Sequence, residues 1–279
     1  MSRYFIVLHT PEEMTSMQPK PVDKAVSSEL SETIYELQSL TSLKDFALAG
    51  GTSLAIRYNH RQSIDIDLFS PNLVGVNGME LIKKEIEDYY SKEKVANVLL
   101  ENEENGEQYC FLKSLIRKGE TTIKIEVIQN VPLLDPFESI CGIRMVTVKD
   151  ISLLKLMSLC SRNARKDVYD LDILTDIAIP LPDLMKILKE KEQKYSTPEQ
   201  EWLFDLDERQ TPTKNPMLLL EFDNIDYKEI PSRPNHSTDV LLIIPPNKTY
   251  TIAKLSWRRK VRNLLRSMGI QPPPISPIN

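Results

Sequence analysis

The chain is short of cysteine, has no long apolar run, carries no excess of basic residues and shows no internal repeat. Its three cysteines, Cys110, Cys141 and Cys160, are odd in number and lack a metal-like spacing, which argues against a zinc site or a disulfide framework. They read as reduced thiols packed in the core of a cytosolic protein. Every apolar run falls well below the roughly 20 residues that a bilayer crossing needs, so no transmembrane helix is expected. The opening MSRYFIVLHT has no small-residue cleavage site and is as compatible with an edge strand as with anything else. A net charge of −5 and a pI near 5.5 give no global nucleic-acid signature, so any such surface has to be local.

What is present is ordinary for a soluble globular chain: 279 residues, 41% hydrophobic and 27% charged, enough for one or two domains with a sizeable core. The informative stretch is Ala49–Phe69, AGGTSLAIRYNHRQSIDIDLF. It opens on Gly50-Gly51-Thr52, passes through a short helix at Thr52–Tyr58 and a polar loop at Asn59–Gln62, and ends in an alternating strand, Ser63–Phe69. Alternation puts Asp65 and Asp67 on one face and Ile64, Ile66 and Leu68 on the other. Two carboxylates about 7 Å apart along a strand repel each other and call for a cation or strong donors nearby. All-oxygen ligands of this kind suit Mg²⁺, with Mn²⁺ as a substitute, together with substrate phosphates. A diglycine lets backbone approach a phosphate, and a helix N-terminus directly after it favours negative charge. The stretch therefore reads as a metal-dependent site for a nucleoside triphosphate.

Around it, helical spacing predicts a helix in Val22–Leu40, capped at Ser28 or Ser31, and another over Gly78–Tyr90. A short strand, Leu43–Ala49, leads into the diglycine. Val95–Leu100, Tyr109–Arg117 and Thr121–Gln129 read as antiparallel sheet, with Ile143–Val148 a further small strand. In the third of these, Lys124, Glu126 and Ile128 share a face, so a third carboxylate arrives in the same setting as Asp65 and Asp67. From Asp150 the period turns helical: Val148–Cys160 with Lys155 at its centre, Asn163–Ile177 with Lys166, Asp167 and Asp170 on one region of its surface, then a helix from Pro182 to Tyr195. Beyond Ser196 prolines recur. Met217–Glu221 and Val240–Ile244 read as strands or short buried segments. Trp257–Ser267 is a basic amphipathic helix with Trp257, Val261, Leu264, Leu265 and Met268 on one side. Gln271–Asn279 reads as a disordered tail.

These elements, from Gly50-Gly51-Thr52 through Asp65-Ile66-Asp67 to Lys166–Leu171 (KDVYDL), resemble the AbiEii/AbiGii toxin branch of the DNA polymerase β-like nucleotidyltransferases. The resemblance covers roughly residues 40 to 177. It implies an α+β fold: a nucleotidyltransferase core with a mixed sheet and flanking helices, placed over 1–147, and a helical region completing the nucleotide pocket, placed over 148–195; the change in composition beyond Ser196 sets off a C-terminal extension over 196–279. It also implies transfer of a nucleotidyl group from an NTP, in a toxin usually paired with an antitoxin, some relatives modifying the 3′ end of tRNA. The acceptor is then an RNA or a protein hydroxyl, and the setting cytoplasmic.

Carried over residue by residue, the resemblance makes Asp65, Asp67 and Glu126 the catalytic carboxylates and the Mg²⁺ ligands. Glu126 stands where many relatives have Asp, one methylene longer. Gly50, Gly51, Thr52 and Ser53 would cradle phosphates, Arg61 and Lys155 would contact the triphosphate, and Lys166, Asp167 and Asp170 would line the nucleotide pocket. Blander readings stand beside these. Glu126 pairs with Lys124 on an exposed strand; Lys155 snorkels from its helix; Lys166 and Asp170 form a surface ion pair; His60 is a loop or capping residue. The basic helix is either an RNA landing site, through Arg258, Arg259, Lys260, Arg262 and Arg266, or a helix docked on the core by its apolar stripe, which already explains it. As a whole, the rival to an enzyme is a degenerate core serving as a binding module.

Overall fold

Along the strand Asp65–Phe69, Ile66 and Leu68 are fully buried while Asp65 and Asp67 stay half-buried on the opposite face. That alternation fixes which side of the sheet is core. The structure, a computed structural model, describes residues 24–100, 107, 110–162, 164–196, 211–223 and 240–274. The N-terminal MSRYFIVLHT and residues 275–279 lie outside them.

The elements in chain order are α1 (Ser28–Ser39), β1 (Ala47–Leu48), α2 (Gly50–Tyr58), β2 (Asp65–Phe69), α3 (Gly75–Tyr90), β3 (Val95–Leu100), β4 (Phe111–Lys118) and β5 (Thr121–Ile128). They continue with β6 (Glu138–Ile140), β7 (Ile143–Met145), α4 (Val148–Arg162), α5 (Arg165–Ile177), α6 (Leu181–Lys194), a 3₁₀ segment (Pro216–Asp223) and α7 (Tyr250–Ser267). The strands form one mixed sheet in the order β3-β4-β5-β2-β1-β7-β6. β2 runs parallel to β5 and β1 parallel to β7, while the remaining neighbours are antiparallel. This is an α+β architecture, as expected.

One face of the sheet is sealed by α1 and α3. Leu30, Ile34 and Leu37 from α1 and Met79, Ile82 and Ile86 from α3 pack on Ile66, Leu68, Leu112, Ile116, Ile123, Ile125 and Val127. Behind the other end of the sheet, α4, α5, α6, the 3₁₀ segment and α7 share a second core around Leu156, Leu171, Leu188, Leu219 and Trp257. The stripe on α7 docks as expected: Trp257 is fully buried and donates from Nε1 to the carbonyl of Leu219 at 3.0 Å.

Several details differ from the sequence reading. The α1 cap is Ser27, whose Oγ accepts from the amide of Leu30. The apolar run Met217–Glu221 is helical rather than extended, an ambiguity that short apolar runs always carry. Val240–Ile244 is extended, but its pairing is a single bridge from Ile243 to Arg61. Met268 lies beyond the buried stripe of α7 and is exposed. Cys110 and Cys160 are buried free thiols, whereas Cys141 is exposed at a left-handed turn between β6 and β7. In the tail, Pro272 is buried and Arg262 donates to the carbonyl of Pro273 at 2.7 Å.

Candidate active site

Parallel pairing of β2 and β5 sets Asp65 opposite Lys124 and Asp67 opposite Glu126. Residues directly opposite in neighbouring strands share a face, about 4.8 Å apart. The three carboxylates therefore converge on the face that α1 and α3 leave uncovered. Continuing across β4, Lys113 lies opposite Glu126 and Leu115 opposite Lys124. The Lys124 ammonium sits 3.6 Å from Asp65 Oδ2 and 3.2 Å from Glu126 Oε1. Burial and the nearby Glu126 carboxylate push the Asp67 carboxyl up to about 6, with Asp65 adding to the rise and Lys124 opposing it. Burial would lower the Lys124 ammonium, but Glu126, Asp65 and Asp67 outweigh it and raise it.

The diglycine has a specific steric reason here. Gly50 has φ +61°, and a Cβ on it would lie 1.8 Å from Asp67 Oδ2. A Cβ on Gly51 would lie 2.2 Å from the Arg61 guanidinium. The two glycines thus let an acid and a base press against the first turn of α2, whose leading amides have no acceptor within the helix. Thr52 and Ser53 follow a different course from the expected phosphate cradle. Both are buried: the Thr52 hydroxyl lies 2.8 Å from Ser63 Oγ and against the carbonyl of Asp65, and Ser53 Oγ donates to the carbonyl of Gly50 at 3.0 Å. The Thr52 hydroxyl fastens α2 to the Asp65 strand, while that of Ser53 stays within the first turn of α2.

A second charged cluster lies behind the diglycine. Asp170 of α5 is fully buried and accepts from Arg61 Nε at 2.6 Å and Nη2 at 2.7 Å. His60 Nε2 lies 2.8 Å from the same carboxylate, and the Lys155 ammonium sits 2.9 Å from it and 2.6 Å from Asp167. His60 also stacks on Tyr169, ring centroids 5.8 Å apart. Burial alone would raise the Asp170 carboxyl, but Arg61 and Lys155 outweigh it and hold it well below the usual carboxylate range. Arg61 and Lys155 are therefore anchored in a buried ion network, Arg61 only 2% exposed and Lys155 6%. Lys155 does not snorkel. Lys166, one residue before Asp167 on α5, is half-buried. His60, which reads in sequence as a loop residue, is part of the network.

A divalent cation is implied by the acids on the sheet, and two observations test the fit. The donors are carboxylate oxygens, the kind hard cations take, and the Asp67 anion is destabilised by its neighbours. Both fit Mg²⁺ or Mn²⁺. Among the described residues no three His, Cys, Asp or Glu side chains are already drawn together as a metal cage; a lysine ammonium lies between two of the acids instead. Lys124 is the residue that the sequence reading undervalued, as a mere partner of Glu126. Its placement two residues before Glu126 on the same strand face was the available signal.

Known proteins resemble the same part of the chain. The model of the nucleotidyl transferase AbiEii toxin family, of type IV toxin–antitoxin systems, matches residues 34–261, which take in both the sheet and the helical core. An uncharacterized protein of Aquifex aeolicus (strain VF5) is 28% identical over 178 residues, 60% of this chain and 76% of its own. MenT4, a nucleotidyltransferase toxin from Mycobacterium tuberculosis H37Rv, aligns over 84% of each chain with a TM-score of 0.47 and 14% identity.

Proposed function

This chain belongs to the AbiEii family of nucleotidyltransferase toxins, and from that premise we propose that it moves a nucleoside monophosphate from an NTP onto the 3′ hydroxyl of an RNA. Mg²⁺ is its cation in this reading, a cognate antitoxin its regulator, and the cytoplasm its setting. The observation that carries it is the register Asp67 opposite Glu126, on an open sheet face where Gly50 admits the Asp67 carboxylate against the start of a helix.

Asp65, Asp67 and Glu126 would hold the cation, which when bound neutralises phosphate charge and eases loss of the acceptor hydroxyl's proton. The rest falls to the chain's own groups. The first amides of α2 would orient the triphosphate, since a helix N-terminus favours anions. Arg61 and Lys155, fixed by Asp170 and Asp167, stand already oriented behind that turn and need no reorganisation during the reaction. The acceptor oxygen forms its bond to the α-phosphorus as the bond to the bridging oxygen breaks, and pyrophosphate leaves with that electron pair. The hydroxyl proton passes to a carboxylate, for which half-exposed Glu126 is the candidate. Catalysis of this kind is mostly positioning and charge neutralisation. An RNA acceptor is favoured over a protein by the cations that continue the open face beyond Glu126, Lys113 opposite it and Arg117 further along β4.

The test is to incubate the protein with each labelled NTP, Mg²⁺ and total RNA. Label in RNA that requires the metal and vanishes in Asp67→Ala supports the reading, as does growth arrest on expression that Asp65→Ala relieves. Label on protein would reassign the acceptor. Transfer that survives Asp67→Ala, or none with any NTP and acceptor, would overturn it.

A further inference from the structure

The acids of the sheet face are held together in the structure by one side chain, and it occupies the place where their charge is greatest. The Lys124 ammonium reaches Asp65 on the neighbouring strand and Glu126 on its own, at 3.6 and 3.2 Å. The three side chains sit at one depth, with 30%, 31% and 29% exposure, so this is not a solvated surface pair whose partners swing free. The oxygens that Lys124 holds, Asp65 Oδ2 and Glu126 Oε1, are ones that a cation bridging these acids would need. Three carboxylates against one ammonium also leave two negative charges in excess. That is enough neutralisation to let the strands pair, and not enough to remove the demand for a divalent ion. The Asp170 cluster differs: Asp167 and Asp170 are matched by Lys155 and Arg61.

We infer that Lys124 is the resident counter-cation of the acidic face: it occupies the position between Asp65 and Glu126 that a divalent ion takes over, and by having to be displaced it sets how tightly that ion is held. This rests on the metal-dependent reading of the site. Without metal, Lys124 keeps the acids together and the pocket assembled. When the ion enters, the ammonium gives up both carboxylates and remains beside them on its strand. A lysine with a structural part alone would stabilise the fold and leave metal affinity untouched. Competition makes the opposite prediction for affinity, and that separates the two.

The experiment measures Mn²⁺ binding to the full chain, without nucleotide, by the loss of the free-ion resonance signal. It is run on the native protein, Lys124→Met, Lys124→Arg and Asp67→Asn, with circular dichroism confirming the fold of each. The expected result is about tenfold tighter Mn²⁺ binding by Lys124→Met, equivalent to about 1.4 kcal/mol. Its melting temperature without metal should fall, and the rise on adding Mn²⁺ should exceed that of the native protein. Lys124→Arg should bind as the native protein does. If Lys124→Met fails to fold, Lys124→Gln takes its place, with the same expected direction. Equal or weaker binding by the Met or Gln variant, while Asp67→Asn abolishes binding, overturns the inference and leaves the metal reading intact. No binding by either the native protein or Lys124→Met at millimolar Mn²⁺ overturns both.

Discussion

Two groups of charges lie on either side of the diglycine and are built on opposite plans. On the sheet face, Asp65, Asp67 and Glu126 share one half-exposed lysine, and Asp67 is disfavoured as an anion. Behind the turn, Asp167 and Asp170 are matched by Lys155 and Arg61, helped by His60, and Asp170 is strongly favoured as an anion. Both groups centre on acidic residues, yet one is satisfied and the other is not. Burying a charge is tolerated when it is paired and hydrogen-bonded. A group left short of partners at a cleft is the better candidate for ligand chemistry. The contrast therefore separates scaffold from site more sharply than residue type does, since Asp occurs in both.

The largest effect should come from the unsatisfied group. Asp67→Ala is expected to lower nucleotidyl transfer about 10⁴-fold, about 5 kcal/mol in transition-state terms, while leaving the melting temperature unchanged or higher. A rate assay beside a thermal melt checks both halves. Asp170→Asn should invert that pattern. Removing one partner of a buried ion network leaves the others uncompensated, at a cost of about 3–5 kcal/mol in stability, read by urea denaturation. If Asp170→Asn keeps native stability and loses only activity, the division between scaffold and site is wrong.

How much of this was legible beforehand follows from how local each feature is. The diglycine, the α2 helix and the Asp65/Asp67 strand lie within one stretch, and alternation reveals the faces directly. The placing of Glu126 depended on a parallel pairing of β2 with β5 that no local pattern encodes; only its strand face could be read. The Asp170 cluster was legible as a set of charged residues but not as a unit, because Arg61 and Asp170 are 109 residues apart. Their pairing arises when α5 packs behind α2. β6, three residues of mixed polarity (Glu138–Ile140), is too short to carry a period. The internal partners of the Thr52 and Ser53 hydroxyls could not be read in advance: next to a turn, such groups bond readily to nearby main chain, and that use competes with binding a ligand.

The diglycine connects the two clusters, and Gly51 tests the connection. Gly51→Ala sets a methyl 2.2 Å from the Arg61 guanidinium and has to push Arg61 off its position against the turn. Crowding of this kind costs about 1–3 kcal/mol. The expected outcome is a loss of stability near 2 kcal/mol together with weaker NTP binding, measured by calorimetry. Loss of stability with native NTP affinity would show that Arg61 serves the fold alone.

The smallest effect concerns pH, and its sign runs opposite to that of ordinary acidic pairs. The Asp67 carboxyl is raised from 3.8 to about 6 by burial and the neighbouring Glu126 carboxylate. Between about pH 4 and pH 6 the unfolded chain has already lost this proton and the native state still holds it, so stability falls as pH rises. The contribution is fully present below pH 4 and gone above about pH 6. Because Asp67 is only half-buried and solvent screens part of the interaction, the change is about 1–2 kcal/mol. Asp67→Asn should therefore melt higher than the native protein at pH 8 without metal, and the two should converge towards pH 4. Asp170→Asn should show no such gain, because the Asp170 charge stabilises the fold at neutral pH and is lost only as pH drops well below 3.8. Adding Mn²⁺ at pH 8 should erase the advantage of Asp67→Asn by stabilising only the chain that keeps its acid. A Asp67→Asn variant that melts lower than the native protein at pH 8 in the absence of metal would show that Asp67 is satisfied where it stands, and the distinction between the two clusters would lose its physical basis.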